Sequence, residues 1–533
     1  MPISGFALIL SGWLSVVAAP VQDSSLTTAP FGDWIPQDTA VVVEVTHAGQ
    51  WSEDFGNNQL GQMLIRFSPA NRFIRGWRRM QRMLDQTNAQ MVDNYFGKSV
   101  VLIAAHTHPS SPMVIASRLN DRQTALDMIT KLQLVEREVY ADHHIYQTPD
   151  AGAILSLHDS TPTIILTSER NTPYLKRLID AAKTEPLLKD DAKFKAYLAS
   201  VPAESVLKGY IRSDDDQQKH TFFVTQNAQG ITGQYVGNMP QIASVLSQLG
   251  ATQPHHFGPL PPDCMAAMSV NLSKIKPQTV AMFDKILAPK SFAADIQPKL
   301  GQSMVLYLNK PAQVQMLPSV GVAVQMKNTD LASDMDTFMK NVMVVTSMSL
   351  EKRRPHHPDA NDTPAPPPVQ PMLVTHNQTA YRTAPVANLK MVQQGMTMVT
   401  PIQLSWGRIN DWYVICSDKD TFCQSIDHAD NKTSLVKPVA ALDAMTVKAD
   451  EPGVPVAKLQ FKPQVLIDHL KRFVDPDKPQ VVPPANNRRL YLRYRPIRIE
   501  DVCDALTHIQ SVQVNVYRDD AQQMITQVQL VKQ

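Results

Sequence analysis

A short pattern occurs twice in this 533-residue chain and limits the folds available to it. The pattern is an apolar residue, a proline, a spacer, an aspartate and then strand-forming residues. Its copies are Trp34-Ile35-Pro36-Gln37-Asp38-Thr39-Ala40-Val41-Val42-Val43 and Leu260-Pro261-Pro262-Asp263-Cys264-Met265. Proline fixes φ for a turn, an aspartate side chain can hydrogen-bond the local backbone, and β-branched residues favour strands. Each copy therefore predicts a turn that leads into a buried strand, and the repetition indicates a duplicated domain.

The order of predicted elements after each copy also indicates a duplication. Each half is predicted to hold a strand, a second strand and a helix, which start at 97, 112 and 121 in the first half and at 301, 318 and 330 in the second. We therefore predict a first α+β repeat over residues 33–250 and a second over 258–533. The second repeat carries a Pro-rich insertion at about 353–371, whose composition is typical of an exposed, extended loop.

The predicted fold class is α+β: two duplicated α/β units with largely antiparallel sheets and helices packed on them. A chain of this length is too long for one ordinary core, and 43% hydrophobic with 19% charged residues is typical of a folded protein. Sequential hairpins with helices inserted between them favour α+β. A doubly wound parallel sheet would need a regular alternation of strand and helix, which the sequence does not show.

The N-terminal segment 1–24 predicts a signal peptide or an N-terminal membrane anchor. Gly5 to Ala19 is mostly apolar, and Val17-Ala18-Ala19 offers small residues for cleavage. No Lys or Arg precedes the apolar run, so a buried N-terminal segment is a further alternative. No later stretch is long and apolar enough to predict a membrane span. We therefore expect an extracytoplasmic protein, which is periplasmic, on the cell surface or secreted.

Four cysteines leave two alternatives open. None lies in a Cys-x-x-Cys pattern, so the sequence gives little support to a zinc or thioredoxin-type site. In an oxidising compartment Cys416 and Cys423 could form a disulfide across a strand-to-helix turn. The other interpretation is four buried free thiols.

The sequence predicts no catalytic, cofactor-binding or metal-binding residues, and no cofactor. Gly97-Lys98-Ser99 lacks the first glycine of a phosphate loop, because that position is Val92. The patterns of zinc proteases, serine hydrolases, dinucleotide-binding folds and EF-hands are absent. Adjacent histidines and the run Asp214-Asp215-Asp216 lack the further ligands of a metal site and are interpreted as loop residues.

A run of arginines is the most distinctive surface feature that the sequence predicts. Six arginines lie between positions 66 and 82 with no acidic residue among them, most of them on a predicted amphipathic helix. Arginine binds phosphate and carboxylate groups bidentately, so this helix is a candidate contact with an anionic surface or an acidic partner. The alternative is a solvated face paired with acidic residues elsewhere. The net charge of +2 does not favour nucleic acid. The candidate contact residues are Arg72, Arg75, Arg79 and Arg82.

Three stretches resemble a family of exported bacterial proteins that is known only as a domain of unknown function. They are the Ile-Pro-x-Asp-Thr strand motif of Ile35 to Val45, then Gln59-Leu60-Gly61-Gln62-Met63-Leu64, then Phe96-Gly97-Lys98-Ser99. The resemblance implies an extracytoplasmic protein without enzymatic activity, and it implies no catalytic residues.

Three hypotheses for the function follow. The first is an exported, non-catalytic protein that binds another envelope component or an anionic surface. The second is a carrier of an apolar ligand in a pocket between helices and sheet, because 24 methionines would form an adaptable lining. The third is a hydrolase whose site is assembled from residues distant in sequence, since catalytic triads are spatial and not sequential.

Overall fold

A computed structural model describes most of the chain outside the N-terminal segment and several internal segments. The described residues are 34–46, 82, 84–87, 90–91, 94–95, 99–107, 111–119, 121–149, 152–158, 162–212, 219–227, 230–237, 257–272, 291–310, 318–352, 370–393, 396–429, 455–473, 481–482, 497–507, 509–518 and 524–532. The predicted signal segment 1–24 and the Pro-rich insertion up to residue 369 lie outside them.

Strands make up most of the regular structure. The described residues form the strands β1 Val41–Thr46, β2 Ser99–Ala104, β3 Met113–Arg118, β4 Val135–Tyr140, β5 His143–Gln147, β6 Ala153–His158, β7 Thr163–Ser168, β8 Ser205–Arg212, β9 Lys219–Asn227, β10 Gly230–Gly237, β11 Cys264–Asn271, β12 Leu300–Asn309, β13 Ser319–Met326, β14 Met372–His376, β15 Thr379–Gln393, β16 Met396–Ile409, β17 Trp412–Cys416, β18 Ala457–Phe461, β19 Val481–Val482, β20 Ile497–Arg498, β21 Ile509–Arg518 and β22 Met524–Lys532.

The α-helices are fewer and mostly short. In the part of the chain that the structure describes they are α1 Arg122–Lys131, α2 Thr172–Thr184, α3 Ala192–Ser200, α4 Leu331–Lys352, α5 Lys419–Asp427, α6 Pro463–Leu470 and α7 Ile499–Thr507.

The predicted fold class is wrong, because the sheet dominates the fold. Twenty of the described strands pair antiparallel with their neighbours, eleven in the first of the two units described below and nine in the second, and β19 with β20 forms a separate pair. The prediction of α+β units with helices packed on their sheets underestimated the strand content for a physical reason. Strands β4, β5 and β14 lack the buried apolar alternation by which a strand is recognised in a sequence. Strand β15 was not predicted, and β16 is far longer than its sequence pattern indicated.

Two compact units divide the chain. The first comprises Met1–Met239, Asp477–Ile509 and Asp519–Gln533, and the second comprises Pro240–Pro476 and Gln510–Arg518. Among the described strands, the first unit has the order β4-β5-β6-β7-β3-β2-β1-β8-β9-β10-β22. The second has the order β14-β15-β16-β17-β13-β12-β11-β18, followed by β21. Both orders begin at the outer strand of a hairpin. If β11 is counted as the first strand of the second unit, the first eight strands of both units follow the order 4-5-6-7-3-2-1-8.

The repeated sequence pattern forms the same turn in both units. The N–H of Thr39 donates to the carbonyl of Pro36 (3.1 Å), and the N–H of Cys264 donates to the carbonyl of Pro261 (3.2 Å). Each turn leads into a strand that is buried at the centre of its sheet, as predicted. The sequence predicts that the carboxylate of Asp38 accepts a hydrogen bond from the local backbone. In the structure it accepts one from the side chain of Arg177 (2.8 Å).

Core residues lie on both faces of the strands in each unit. In the first unit, alternate residues of β2 and β3 pack against α2 and α3 on one face and against α1 on the other. In the second unit, α5 covers one face and α4 the other. Helix α1 begins where the sequence predicts, because Asp121 caps it by accepting from the N–H of Thr124 (2.8 Å). Helices therefore pack on both faces of the central strands, and a hairpin forms one outer edge of the described strands in each unit.

Candidate functional site

One exposed hairpin in each unit forms a candidate interaction surface, and we call these two the edge hairpins. Strands β4 and β5 are joined by Ala141 and Asp142, and β14 and β15 are joined by Asn377 and Gln378. All four joining residues have φ between 44° and 64°. Two left-handed residues in a two-residue loop make a type I′ turn, whose twist matches that of the paired strands. Within the described residues, β4 and β14 each pair with one neighbour and form an outer edge.

Large apolar side chains are exposed preferentially on these outer strands. The described residues include eight large apolar side chains that are exposed, and four of them lie on β4 and β14. Val135 is 63% exposed and Val139 is 56% exposed on β4, while Met372 is 57% exposed and Leu373 is 66% exposed on β14. Apolar side chains on a sheet edge, next to unpaired backbone groups, are typical of a surface that associates with another chain.

Strand β4 carries charges between its exposed valines. Arg137 pairs with Glu169 (3.4 Å), and Glu138 pairs with Lys176 (2.6 Å). The β4–β5 pairing also has an irregularity between Glu136 and Glu138. Charges and bulges on an edge strand restrict the chains that can pair with it. Strand β4 therefore has the features of a selective edge.

Strand β14 has neither feature. Its sequence Met372-Leu373-Val374-Thr375-His376 contains no Asp, Glu, Lys or Arg, and its pairing with β15 is regular over all five residues. The end of the strand is held in place by α5, because Asp427 Oδ1 lies 2.8 Å from His376 Nε2 and 2.6 Å from Asn377 Nδ2. Val374 packs against the core below it. The outer side of β14 is thus an ordered, uncharged strand edge.

A buried polar cluster surrounds Tyr307 in the second unit. The hydroxyl of Tyr307 lies 3.1 Å from Cys416 Sγ and 3.2 Å from Ser425 Oγ. All four cysteines are free thiols in the structure, and Cys423 Sγ lies 3.5 Å from the hydroxyl of Tyr381. Burial raises the pKa of Cys264 and of Cys416 to about 12. These two thiols are therefore protonated at neutral pH and are poor nucleophiles. The Cys416–Cys423 disulfide stays a prediction from the sequence.

A serine and a histidine meet on strands β5 and β6. His143 Nδ1 lies 2.9 Å from Ser156 Oγ, and the rings of His143 and His158 are 4.7 Å apart. A hydrolytic nucleophile must reach its substrate. The side chain of Ser156 is fully buried, so this contact connects strands and gives the hydrolase hypothesis no support.

A small cavity lies in the first unit between the sheet and α3. Its volume is about 30 Å³, and its lining includes Phe194, Tyr197 and Glu44. A water molecule needs roughly 10–15 Å³ of such volume, whereas sites for drug-sized ligands have about 300–1,000 Å³. The cavity is therefore far too small for an apolar ligand. Burial raises the pKa of Glu44, and the charge of Lys208, its partner on β8, opposes this shift more weakly.

The arginine contact predicted from the sequence falls mostly outside the described residues. The structure does not describe Arg72, Arg75 or Arg79. It describes Arg82, which is exposed on a helical segment. In the described part of the chain, no group of three or more His, Cys, Asp or Glu side chains is placed to hold a metal ion. The helices that the structure describes include none with the length and apolarity needed to cross a membrane.

The edge hairpins were missed by the sequence analysis. Residues 135–147 were assigned to no element, and β14 was not separated from the Pro-rich insertion before it. The available signal was the pair of turn-forming residues, above all Asn377, between two short stretches of strand-forming residues. Comparison of the chain with protein-family models, with curated proteins and with solved structures finds no match.

Proposed function

We propose that this chain is a non-catalytic binding protein of the bacterial cell envelope, and that it holds a protein partner along the edge of β4. The observation that carries the proposal is the exposure of Val135 and Val139 on an outer strand whose other side pairs with no strand among the described residues. A partner segment that adds a strand to this edge would gain main-chain hydrogen bonds and would cover both valines. Export to the envelope is the location that the N-terminal segment and the family resemblance favour.

The charges of β4 support a partner different from the chain itself. If two copies of β4 paired antiparallel about Arg137, the two arginines would face each other and Glu136 would face Glu138. Like charges directly opposite on paired strands are destabilising. A partner strand with a carboxylate opposite Arg137 and a basic residue opposite Glu136 or Glu138 would have complementary charges. Such complementarity gives selectivity and fast association more than affinity.

Site-specific cross-linking in the native host tests this proposal. A photo-reactive amino acid replaces Val139 in the full-length chain, and a matched control carries it at Gln123, which is exposed on α1. We expect illumination of intact cells to give one discrete adduct with a second polypeptide from position 139 and none from position 123. A further Val135→Lys substitution should abolish the adduct, because it places a charge against the partner strand. Equal labelling from both positions, or adducts only with a second copy of the chain, would contradict the proposal.

A further inference from the structure

Strand β14 presents its outer backbone groups in a defined pattern. The type I′ turn at Asn377 and Gln378 makes His376 and Thr379 a hydrogen-bonded pair, as in other two-residue hairpins. The N–H and C=O groups of successive residues in a strand point to opposite sides. Those of His376, Val374 and Met372 therefore point toward β15. Those of Thr375 and Leu373 point away from β15, at the outer edge.

This pattern is self-complementary. When two copies of β14 are aligned antiparallel with Leu373 opposite Leu373, each Leu373 exchanges both of its backbone hydrogen bonds with its copy. The N–H of Thr375 then donates to the carbonyl of Pro371 in the other copy. Pro371 has no N–H to leave unpaired, so the ladder ends there without an unsatisfied donor. Four backbone hydrogen bonds result, related in pairs by a two-fold axis.

The same alignment covers the two exposed large apolar side chains of β14. Leu373 faces its own copy, and Met372 faces Val374 of the other copy. No charged side chain of the strand opposes this pairing, since β14 contains none. The corresponding outer strand of the first unit, β4, differs in both respects, because Arg137 would face its own copy and the ladder is irregular there. We propose that β14 is a homodimer interface, at which the strand pairs antiparallel with β14 of a second copy about a two-fold axis at Leu373.

The oligomeric state of the full-length chain in solution tests this inference directly. Sedimentation equilibrium should show a dimer for the wild-type protein and a dissociation constant at least ten-fold higher for Leu373→Lys, since two lysines would meet at the two-fold axis. The matched control is Val139→Lys on β4, which makes the same substitution on the outer strand of the other unit and should leave the dimer intact. A monomeric wild-type protein, or an unchanged dimer of Leu373→Lys, would overturn the inference.

A cross-link measures the register independently of affinity. In the proposed pair the Cα atoms of the two Leu373 residues are about 5.5 Å apart, which lies within the range that a disulfide bridges. Two Thr375 residues are displaced by four positions, about 14 Å along the strands. Mild oxidation should therefore link Leu373→Cys into a covalent dimer and leave Thr375→Cys and the wild-type chain unlinked. Equal linking of both variants would rule out this register. These measurements do not depend on whether a partner binds β4. A negative result for β14 therefore leaves the proposal for β4 standing, and a negative result for β4 leaves the proposal for β14 standing.

Discussion

At the scale of single residues, two glycines are fixed by aromatic rings on the neighbouring strand. A Cβ atom at Gly321 would lie 2.0 Å from the ring of Tyr307, and one at Gly209 would lie 2.0 Å from the ring of Phe222. The ring of Tyr307 has little freedom to move, because it is buried and its hydroxyl contacts Cys416 and Ser425. These glycines are therefore required for packing and not for a left-handed backbone.

We expect Gly321→Ala to lower the free energy of unfolding by about 1–3 kcal/mol, the usual cost of overpacking a core. The control is Gly233→Ala, where the nearest atoms to the new Cβ are 3.5 Å away and contact is ordinary. That variant should change the free energy by less than about 1 kcal/mol. Guanidinium unfolding followed by tryptophan fluorescence measures both. Equal effects of the two substitutions would show that the contact with Tyr307 is not what excludes a side chain.

The carboxyl group of Glu44 gives the stability of the first unit a dependence on pH. Burial raises its pKa in the folded protein above the unfolded value of 4.5. The folded state thus binds a proton more tightly, and this contribution to stability is fully present below pH 4.5 and is lost as pH rises through the folded pKa. We expect Glu44→Gln to unfold at a higher Tm than the wild type at pH 7, with the difference disappearing toward pH 4. A constant difference across this range would contradict the assignment.

The thiols of Cys264 and Cys416 should not react in the native protein. Burial raises the pKa of both to about 12, so the thiolate fraction at pH 8 is very small, and both side chains are inaccessible. We expect native alkylation to spare these two residues and unfolding without reductant to release four thiols, as in the structure. A count of two, with Cys416 and Cys423 protected, would establish the disulfide that the sequence suggests.

At the scale of elements, the sequence predicted the central strands and missed the two edge hairpins. Val41-Val42-Val43 and Val100-Val101-Leu102-Ile103 are β-branched or apolar runs buried at the centre of a sheet, and each was assigned correctly. Strand β4 reads Val-Glu-Arg-Glu-Val-Tyr, and its two valines are exposed, so no buried face marks it. An outer strand is defined by the neighbour that it pairs with, which a single sequence does not show. The candidate interaction surface lies on these elements and was missed for the same reason.

The arginine-rich segment supplies a prediction that rests on the sequence alone. Replacing its four candidate residues by Gln should weaken association with the envelope fraction, and the loss should be largest at low salt, where charged contacts are least screened. The control variant replaces four exposed cationic residues elsewhere by Gln, so its net charge equals that of the first variant. Unchanged fractionation of the first variant, or equal loss in both, would contradict a specific contact. The substituted residues are Arg72, Arg75, Arg79 and Arg82, and the control residues are Arg170, Lys183, Lys193 and Lys195.

At the scale of the whole molecule, the two units use one strand order with different outer edges. Duplication remains a prediction from the sequence. In the described strands, each unit has a type I′ edge hairpin at the start of its strand order. Two related edges need not keep the same partner. The charged edge of β4 disfavours its own copy, whereas the uncharged edge of β14 accepts it. Under the two proposals, the edge of β14 forms the dimer and the edge of β4 binds a second protein, so the two interactions use different surfaces.

Native mass spectrometry of protein purified gently from its own envelope fraction tests these inferences together. We expect two copies of the chain, each lacking the predicted signal segment within 1–24, because the edge of β14 is self-complementary and the N-terminal apolar run offers a cleavage site. The cavity of about 30 Å³ between the sheet and α3 should contribute no ligand mass, since it holds only a few waters. The Leu373→Lys variant, prepared in parallel, should appear as a single copy. A reproducible small mass on both proteins would instead support the carrier hypothesis, because binding would then be independent of β14.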